Sequence, residues 1–332
     1  MRNFESFGID LAYKRISKND RLQWINQGIN WERFRPIIAN LFYDNKTSGG
    51  RPHTDEVVFV KCMVLQAWYG LSDEELEFQI ADRISFRNFI GTDRIIPDFT
   101  TIWKIRERCI VAGIEAKIWN EVQKQLVEKG LCIKKGVVQD ATIIKADLGK
   151  KRYMNEKKAE KNNKKIKYTE QQEKHIDRDA SFTAKAGNIF FGYKLHTKVD
   201  VKNNLIREFE VTTASVHDSN IDLTKEGDQK IYRDRGYTGK ILKTKNVKDM
   251  TMKKKKQNKP WTKTDIKTNR KIAGIRAAVE RPYHVIKNIF NGQKIFVKNI
   301  KRVKIKLMFN CIGYNYYYLV TCIKKQRNYQ TS

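Results

Sequence analysis

The spacing of apolar residues divides the chain into a helical half and, after Gly136, an alternating half. In the helical half, the segment DEVVFVKCMVLQAWYG is apolar nearly all round and ends at Gly70. An apolar surface on every side is typical of a helix inside a protein core, and glycine commonly terminates helices. We therefore predict a buried helix that begins just after Thr54.

Shorter helical segments follow this buried helix. In LSDEELEFQIADR, Glu75 stands three residues after Ser72, which is the spacing of a capping box. FTTIWKIRERC and a segment over about 114–129 continue the helical period. The pattern predicts an all-α domain over 51–130, either a helix-turn-helix-like DNA-binding unit or a plain helical bundle. The N-terminal segment 1–50 precedes it and runs into KTSGGRP, whose glycines and proline are typical of a linker.

The alternating half predicts strands. GVVQDATIIKAD places Val138, Asp140, Thr142 and Ile144 on one face of a first strand. NIFFGYKLHTKVD and NLIREFEVTTA predict a second and a third strand, and KIYRD predicts a fourth. A helix over roughly 268–290 closes the pattern. This order of elements predicts an α/β domain over 131–325, with a mixed sheet flanked by helices.

A lysine-rich segment interrupts the alternating half at 150–175. Its sequence, KKRYMNEKKAEKNNKKIKYTEQQEK, has few apolar residues with which to pack against a core. We interpret it as a long, mobile, basic loop.

The net charge indicates the kind of partner. The 332 residues include 67 lysines and arginines against 37 aspartates and glutamates, a formal charge of +30. A polyanionic partner offsets such self-repulsion, and we expect nucleic acid rather than a membrane. The start, MRNFESFGID, lacks the apolar segment of a signal peptide, and Asn310 and Asn315 interrupt the apolar stretch 307–322. We interpret that stretch as a buried C-terminal helix. Five cysteines without CxxC spacing favour a reducing cytoplasm.

Three carboxylates stand out against this positive background. Asp140 lies within the first strand, Asp234 ends the fourth and Glu280 lies on the late helix, 94 and 46 residues apart (234−140 and 280−234). If the first and fourth strands are neighbours, the two aspartates lie side by side and the helix can supply the glutamate. Three carboxylates about 4 Å apart repel by roughly 4 kcal/mol per pair at an effective dielectric constant near 20. Such a cluster needs cations, and its oxygen ligands suit Mg²⁺ or Mn²⁺, two of which can promote phosphodiester cleavage.

Each carboxylate also has a structural interpretation. Asp140 can hydrogen-bond locally in its strand, Asp234 can cap the following turn, and Glu280 can lie on a solvated helix face. Asp140 is the hardest to explain in this way, because an aspartate between apolar neighbours in a central strand is costly to bury unpaired.

A series of motifs runs in order from about Gly50 to Phe290. They are GRPHTDEVVFVKCMVLQAWYG, IPDFTTIWKIRER, QDATII, FFGYKLHTKVD, VTTASVHDS, DRGYTG and RAAVERPYHVIKNIF. Together they resemble the DDE transposases of insertion sequences, with the IS-five-like family as the closest group. The resemblance implies an RNase H-like (retroviral-integrase-type) catalytic core preceded by a helical DNA-binding domain.

The resemblance also implies roles for individual residues. Asp140, Asp234 and Glu280 would form the metal-binding triad and hold two Mg²⁺ or Mn²⁺ ions. Arg276 and Lys287 would hold phosphates of the element's end. The pattern R-x3-E-x6-K, formed by Arg276, Glu280 and Lys287, is similar to the pattern found in the family. The chain departs from the family at Ala273, where relatives often have tyrosine, and at Pro282, which predicts a kink or a new first turn.

Further candidates flank the proposed site. His217 lies in a family-like motif, SVHDSN, and is a candidate for supporting the metal ligands, while Asp218 is interpreted as a helix cap. Trp261 is a candidate for stacking on an unpaired base, or else anchors its loop to the core. His196 is interpreted as a strand residue beside a polar neighbour. The basic run is a candidate DNA contact, or else a solvated face, and consists of Lys253, Lys254, Lys255 and Lys256.

The function that the sequence predicts is that of an insertion-sequence transposase. It would bind the element's ends in double-stranded DNA, hydrolyse phosphodiester bonds and transfer 3′-hydroxyl ends into target DNA, as a homodimer on the nucleoid of a prokaryotic cytoplasm. Two alternatives stay open: another RNase H-like nuclease, such as a resolvase, and a non-catalytic DNA-binding protein derived from a transposase. The helical half disfavours a bare nuclease, and the three carboxylates disfavour a protein that only binds.

Overall fold

The structure is a computed structural model that describes residues 8, 11–42, 53–91, 93–255 and 260–330, with side chains to residue 324. KTSGGRP and Lys256 lie outside the described residues. The chain forms two compact units, one of residues 1–132 and 308–332 and the other of residues 133–307. The domain limits inferred from the sequence stay a prediction.

Twelve helices of the described residues are numbered here in chain order. They are α1 (Arg21–Gly28), α2 (Arg35–Ile38), α3 (Glu56–Tyr69), α4 (Asp73–Asp82), α5 (Ile84–Ile90), α6 (Phe99–Ala112), α7 (Glu115–Glu128), α8 (Lys150–Lys161), α9 (Glu170–Lys174), α10 (Lys263–Arg276), α11 (Glu280–His284) and α12 (Ile300–Gln330). In the described part of the chain, no helix combines the length and the apolar character that a membrane crossing requires.

The first unit is helical, as its apolar spacing predicts. Helix α3 is buried on all sides and ends at Gly70, whose φ of +63° lies in the left-handed region that glycine adopts without strain. Helix α4 begins after Ser72, whose hydroxyl accepts a hydrogen bond from the Glu75 amide at 3.1 Å. The predicted buried C-terminal helix is also present, and its residue Tyr316 is completely buried beside Trp31.

The second unit is built on a seven-stranded mixed sheet. Its main path runs β2-β3-β1-β5-β6, β4 pairs with β3, and β7 pairs with β1. The strands are β1 (Val137–Ala146), β2 (Ser181–Lys185), β3 (Asn188–Asp200), β4 (Ile206–Thr213), β5 (Lys230–Arg233), β6 (Lys248–Thr251) and β7 (Lys294–Ile295). The first and fourth predicted strands are β1 and β5, and they are parallel neighbours. This confirms the mixed sheet and the adjacency on which the carboxylate argument depends.

The segment 150–175 is not the continuous loop that its polarity suggested. Helices α8 and α9 form within it, and no residue of either helix is buried. Lysine, glutamate and arginine are good helix formers, and Arg152 pairs with Glu156 at 2.7 Å one turn later. Local propensity and ion pairing therefore form helices here without a buried face.

The single helix predicted over 268–290 is also corrected. Helix α10 ends at Arg276, a 3₁₀ turn covers Ala277–Val279, α11 follows, and a π turn covers Val285–Ile289. Pro282 has no amide hydrogen to donate to the carbonyl four residues before it, so the α-helical hydrogen-bond ladder is interrupted there. Of the two expectations for Pro282, the structure shows the new first turn.

Candidate active site

Strand pairing brings two of the three carboxylates together. Val137 is paired with Ile231 and Val138 with Tyr232 in parallel register. Extending this register by two residues puts Asp140 level with Asp234 (138+2 and 232+2). Because side chains alternate with a period of two along each strand, the two aspartates lie on the same face. The structure therefore places a pair of carboxylates at the carboxyl end of β5.

Asp140 is held by one backbone and one charged partner. Its Oδ1 accepts a hydrogen bond from the Ala141 amide at 2.8 Å, and its Oδ2 accepts one from Arg276 at 3.0 Å. Burial raises the pKa of Asp140, and the charge of Asp234 raises it further, although Arg276 acts in the opposite direction. One guanidinium thus does not fully offset the cost of burying this carboxylate beside a second one.

Asp234 caps the turn that follows it, as its structural interpretation predicts. Its Oδ1 accepts the Gly236 amide at 2.8 Å, which caps the 3₁₀ turn Arg235–Tyr237. A side chain at Gly236 would place its Cβ 3.0 Å from that same oxygen, so glycine leaves the carboxylate room against the turn. The cap fixes the direction of the Asp234 side chain at the strand end.

Tyr237, which follows Asp234 in the 3₁₀ turn, is buried. Burial raises the pKa of its hydroxyl, and the negative charges of Asp140, Asp218 and Asp234 raise it as well. The guanidinium of Arg233 lies over its ring, 5.4 Å from the ring centre. The hydroxyl of Tyr237 therefore stays protonated, and the buried tyrosine is neutral beside these charged side chains.

The side chain of Glu280 is exposed. Glu280 is the first residue of α11, and the turn Ala277–Val279 before it packs against β1 and β3. The hydroxyl of Tyr283 donates a hydrogen bond to the Asp140 carbonyl at 2.7 Å and accepts one from Thr197 at 2.8 Å. Across the described ranges, no three His, Cys, Asp or Glu side chains form a group that could hold a metal ion. The structure thus joins Asp140 with Asp234 and fixes α11 to β1, without bringing the Glu280 carboxylate into a cluster.

Arg276 and Lys287 do not share a regular helix face with Glu280, because the helix is broken between them. Arg276 pairs with Asp140 rather than with Glu280. Lys287 is half-buried in the π turn, and burial lowers its pKa, as do the nearby charges of Lys185 and Lys145. Lys287 therefore belongs to a cationic cluster formed from β1, β2 and the π turn.

The remaining candidates for DNA contact are Trp261 and the described lysines of the basic run. The Arg235 guanidinium lies over the Trp261 ring at 5.0 Å. Lys253 pairs with Asp265 at 2.6 Å and its amide donates to Asn269. Lys254 and Lys255 are exposed.

His217, rather than Asp218, caps the turn that follows, and a role for His217 in supporting the metal ligands stays a prediction. The Nδ1 atom of His217 accepts the Ser219 amide at 3.3 Å and caps the 3₁₀ turn Asp218–Asn220. Asp218 pairs instead with Lys194 at 2.7 Å. The prediction that Asp218 is the cap was wrong, because its carboxylate is directed to Lys194 and a ring nitrogen of His217 accepts the capping hydrogen bond instead.

His196 lies on β3 beside a polar neighbour, as predicted, and its side chain is buried. Its Nε2 lies 2.9 Å from the Thr212 hydroxyl oxygen. Burial lowers the pKa of His196 to about 4. The imidazole is therefore neutral at physiological pH.

Sequence reasoning missed several residues that shape the site. Tyr283 lies in the motif RAAVERPYHVIKNIF but was given no role, and its partner Thr197 lies in a strand pattern that offers no distinguishing signal. Lys185 lies on β2, a short strand that was not predicted. A tyrosine one helical turn after a proposed ligand is the one available signal, since it shares that ligand's helix face.

Comparison with known families agrees with this architecture. Residues 10–108 match a family described as transposase domain (DUF772), and residues 132–316 match a family described as transposase DDE domain. The second match covers 185 residues (316−132+1), which is more than half of the chain. No solved structure shows a significant match.

Proposed function

Because the chain belongs to the transposase DDE domain family, we propose that it cuts phosphodiester bonds at the ends of an insertion sequence and joins the freed 3′-hydroxyls to target DNA. The observation that carries this proposal is the parallel pairing of β1 with β5, after which the charge of Asp234 lies close enough to Asp140 to raise its pKa. The motifs described above favour the IS-five-like group. The protein would act as a homodimer on DNA, associated with the nucleoid in a prokaryotic cytoplasm.

The donor set fits a hard divalent cation. Asp140 and Asp234 offer carboxylate oxygens on one face, and Arg276 offsets only part of their charge. Asp140, Asp234 and Glu280 would hold one or two Mg²⁺ or Mn²⁺ ions, with DNA phosphate completing the shell. When bound, such ions would activate the attacking oxygen and stabilise the leaving one.

The chain's own residues would position DNA around these ligands. Arg276 would exchange its bond with Asp140 for a bond with a phosphate of the element's end, because a guanidinium binds both groups through the same planar fork. The cluster of Lys145, Lys185 and Lys287 would bind phosphates further along the strand. Tyr283 would keep α11 at a fixed place on β1 while Glu280 turns toward the aspartates.

The central experiment measures cleavage by three single variants. Asp140→Asn, Asp234→Asn and Glu280→Gln should each abolish cutting of a duplex that carries the element's own ends in Mg²⁺, while binding to those ends persists. Asp147→Asn is a matched control, because Asp147 is an exposed carboxylate of the same unit whose partner is Lys294. Normal cutting by any of the three site variants removes that residue from the catalytic set.

The same assay separates the alternatives. A resolvase would cut branched DNA in preference to element ends, and a non-catalytic binding protein would bind the ends without cutting them in either metal. Arg276→Ala and Lys287→Ala should weaken binding to element ends and lower the salt slope by about one each. An unchanged slope for Lys287→Ala would exclude that lysine from the interface.

A further inference from the structure

A cleft of about 420 Å³ lies between α10 and the strands β5 and β6. Two lysines of the strands, Lys230 and Lys248, line one side, and two of the helix, Lys267 and Lys271, line the other. All four lysines are exposed, and Tyr232 and Ile272 lie between them. We call this feature the lysine cleft.

The lysine cleft places like charges next to one another on both sides. Lys230 and Lys248 are direct partners in the parallel register of β5 and β6, where like charges destabilise the pairing. Lys267 and Lys271 are four residues apart on α10, the spacing at which like charges repel along a helix. The fold thus keeps two repulsive pairs facing one space.

No carboxylate of the described residues forms an ion pair with any of these four lysines. Asp249, the neighbour of Lys248, points to the other face of the sheet and binds Arg233 at 2.5 Å. Asp265, near the start of α10, binds Lys253 instead. The repulsion in the lysine cleft is therefore not relieved within the structure, as it would be by an ordinary surface ion pair.

We propose that the lysine cleft binds the sugar-phosphate backbone of duplex DNA at a place separate from the carboxylates. This inference rests on the proposed function for the identity of the DNA. Lys230 lies four residues before Asp234, or about 13 Å at roughly 3.3 Å per strand residue. With a rise of about 3.4 Å per base pair, that distance corresponds to about four base pairs from the cut position. A duplex held at the carboxylates would present its backbone to the lysine cleft at that distance.

The first test measures binding without cleavage. The full-length Lys230→Gln/Lys271→Gln variant is titrated with a labelled duplex of roughly 30 base pairs of unrelated sequence, in EDTA, over a range of salt concentrations. Lys202→Gln/Lys301→Gln is the matched control, because it removes two exposed lysines of the same unit that lie outside the lysine cleft. Log affinity decreases as log salt increases, and the magnitude of that negative slope should be smaller by about 1.8 in the first variant, at about 0.9 per lost phosphate contact. The control should change the slope less. Equal slopes for the two variants overturn the proposal.

A second variant separates DNA binding from damage to the fold. Lys248→Glu puts an opposite charge beside Lys230, so the melting temperature of the free protein should rise while its affinity for DNA falls. A higher melting temperature shows that the variant is folded, and an unchanged affinity then overturns the proposal.

These outcomes can be told apart from failure of the proposed function. If the wild-type protein does not cut element ends but the DNA affinity of the first variant depends less on salt, the lysine cleft is a DNA-binding site and the proposed function is wrong. If the protein cuts normally and the slope does not change, the lysine cleft alone fails. Neutral methylphosphonate groups about four base pairs from the cut should weaken binding by the wild type but not by the first variant.

Discussion

The two units bury different kinds of side chain. The core of the first unit is mainly apolar, with residues such as Val58, Val64 and Leu65 completely buried on α3. The second unit buries charges in pairs, with Lys198 bonded to Asp228 at 2.8 Å and both side chains at most 3% exposed. Apolar side chains can be buried together wherever their spacing along the chain puts them on one face of an element, whereas a buried charge needs a particular partner. The first unit therefore depends on periodicity and the second on pairing.

The one strongly buried lysine that is described in the first unit shows the same contrast. Lys61 donates to the Phe89 carbonyl at 2.8 Å and lies near the rings of Trp31 and Phe89, at 5.6 and 5.4 Å. Burial lowers its pKa to about 8. Lys61 can therefore lose its proton above that pH, and its hydrogen-bond partner is a carbonyl rather than a carboxylate.

The largest effect is expected from breaking the Lys198–Asp228 pair on one side only. Asp228→Ala leaves a buried ammonium group without its carboxylate and should lower the free energy of unfolding by about 3–5 kcal/mol. Replacing both residues with apolar ones, as in Lys198→Met/Asp228→Leu, should restore most of that loss. Urea denaturation of the three proteins measures the difference. If the double variant is no more stable than the single one, pairing is not what the second unit depends on.

Removing apolar volume from the first unit should cost slightly less. Leu76 is completely buried, and Leu76→Ala should destabilise by roughly 2–5 kcal/mol through lost burial and the cavity that remains. Val111 is 89% exposed, so Val111→Ala should change stability by less than about 0.5 kcal/mol. Similar denaturation midpoints for the two variants would contradict the apolar account of this unit.

Between pH 7 and pH 4, His196 should make the stability of the second unit depend on pH. Its folded pKa of about 4 lies below the ordinary value of 6.5, so the unfolded chain takes up the proton first. The stability that His196 contributes is complete above about pH 6.5 and is lost as the pH falls toward 4, by up to about 3 kcal/mol. Lys194, Asp218 and Glu210 also act on this imidazole.

The measurement compares unfolding at pH 7 and pH 5 in the wild type and in His196→Gln, which cannot titrate there. The wild type should lose more stability between the two pH values than the variant. Equal losses would assign the pH dependence to other groups.

The smallest effect concerns the cap of α4. Ser72→Ala removes the acceptor for the Glu75 amide and should cost about 1 kcal/mol, whereas Ser72→Gly should cost only a few tenths. Thermal unfolding of both variants checks this ranking. Equal stability of the alanine variant and the wild type would show that the cap is not significant in this unit.

The same contrast explains how much of the molecule could be predicted. Helix α3 and the Ser72 cap follow from local patterns, and the adjacency of β1 and β5 follows from the order of the strands. The partners of Lys198 and Asp218 could not be predicted, because strand register over long sequence distances selects them. Strand β6 was missed because four residues carry too little pattern, so its pairing with β5 decides its structure.

The candidate site divides in the same way. Asp140 and Asp234 could be proposed as candidates because carboxylates beside apolar strand residues are conspicuous, and the adjacency of their strands is confirmed. The pairing of Arg276 with Asp140 could not be predicted, because no local pattern links two residues that are 136 positions apart (276−140). The break before Glu280 was indicated by Pro282, although its form as a 3₁₀ turn depends on packing against β1 and β3.

The hydroxyl of Tyr283 has a consequence for mechanical precision. It joins β3, β1 and α11 through two hydrogen bonds of 2.8 and 2.7 Å, so the offset of α11 from the strand of Asp140 is set by bond lengths rather than by the long connection between them. A displacement of α11 must either stretch these bonds or move the Asp140 carbonyl with it. The position of α11 relative to Asp140 is therefore fixed by the hydrogen bonds of one oxygen atom, the hydroxyl oxygen of Tyr283.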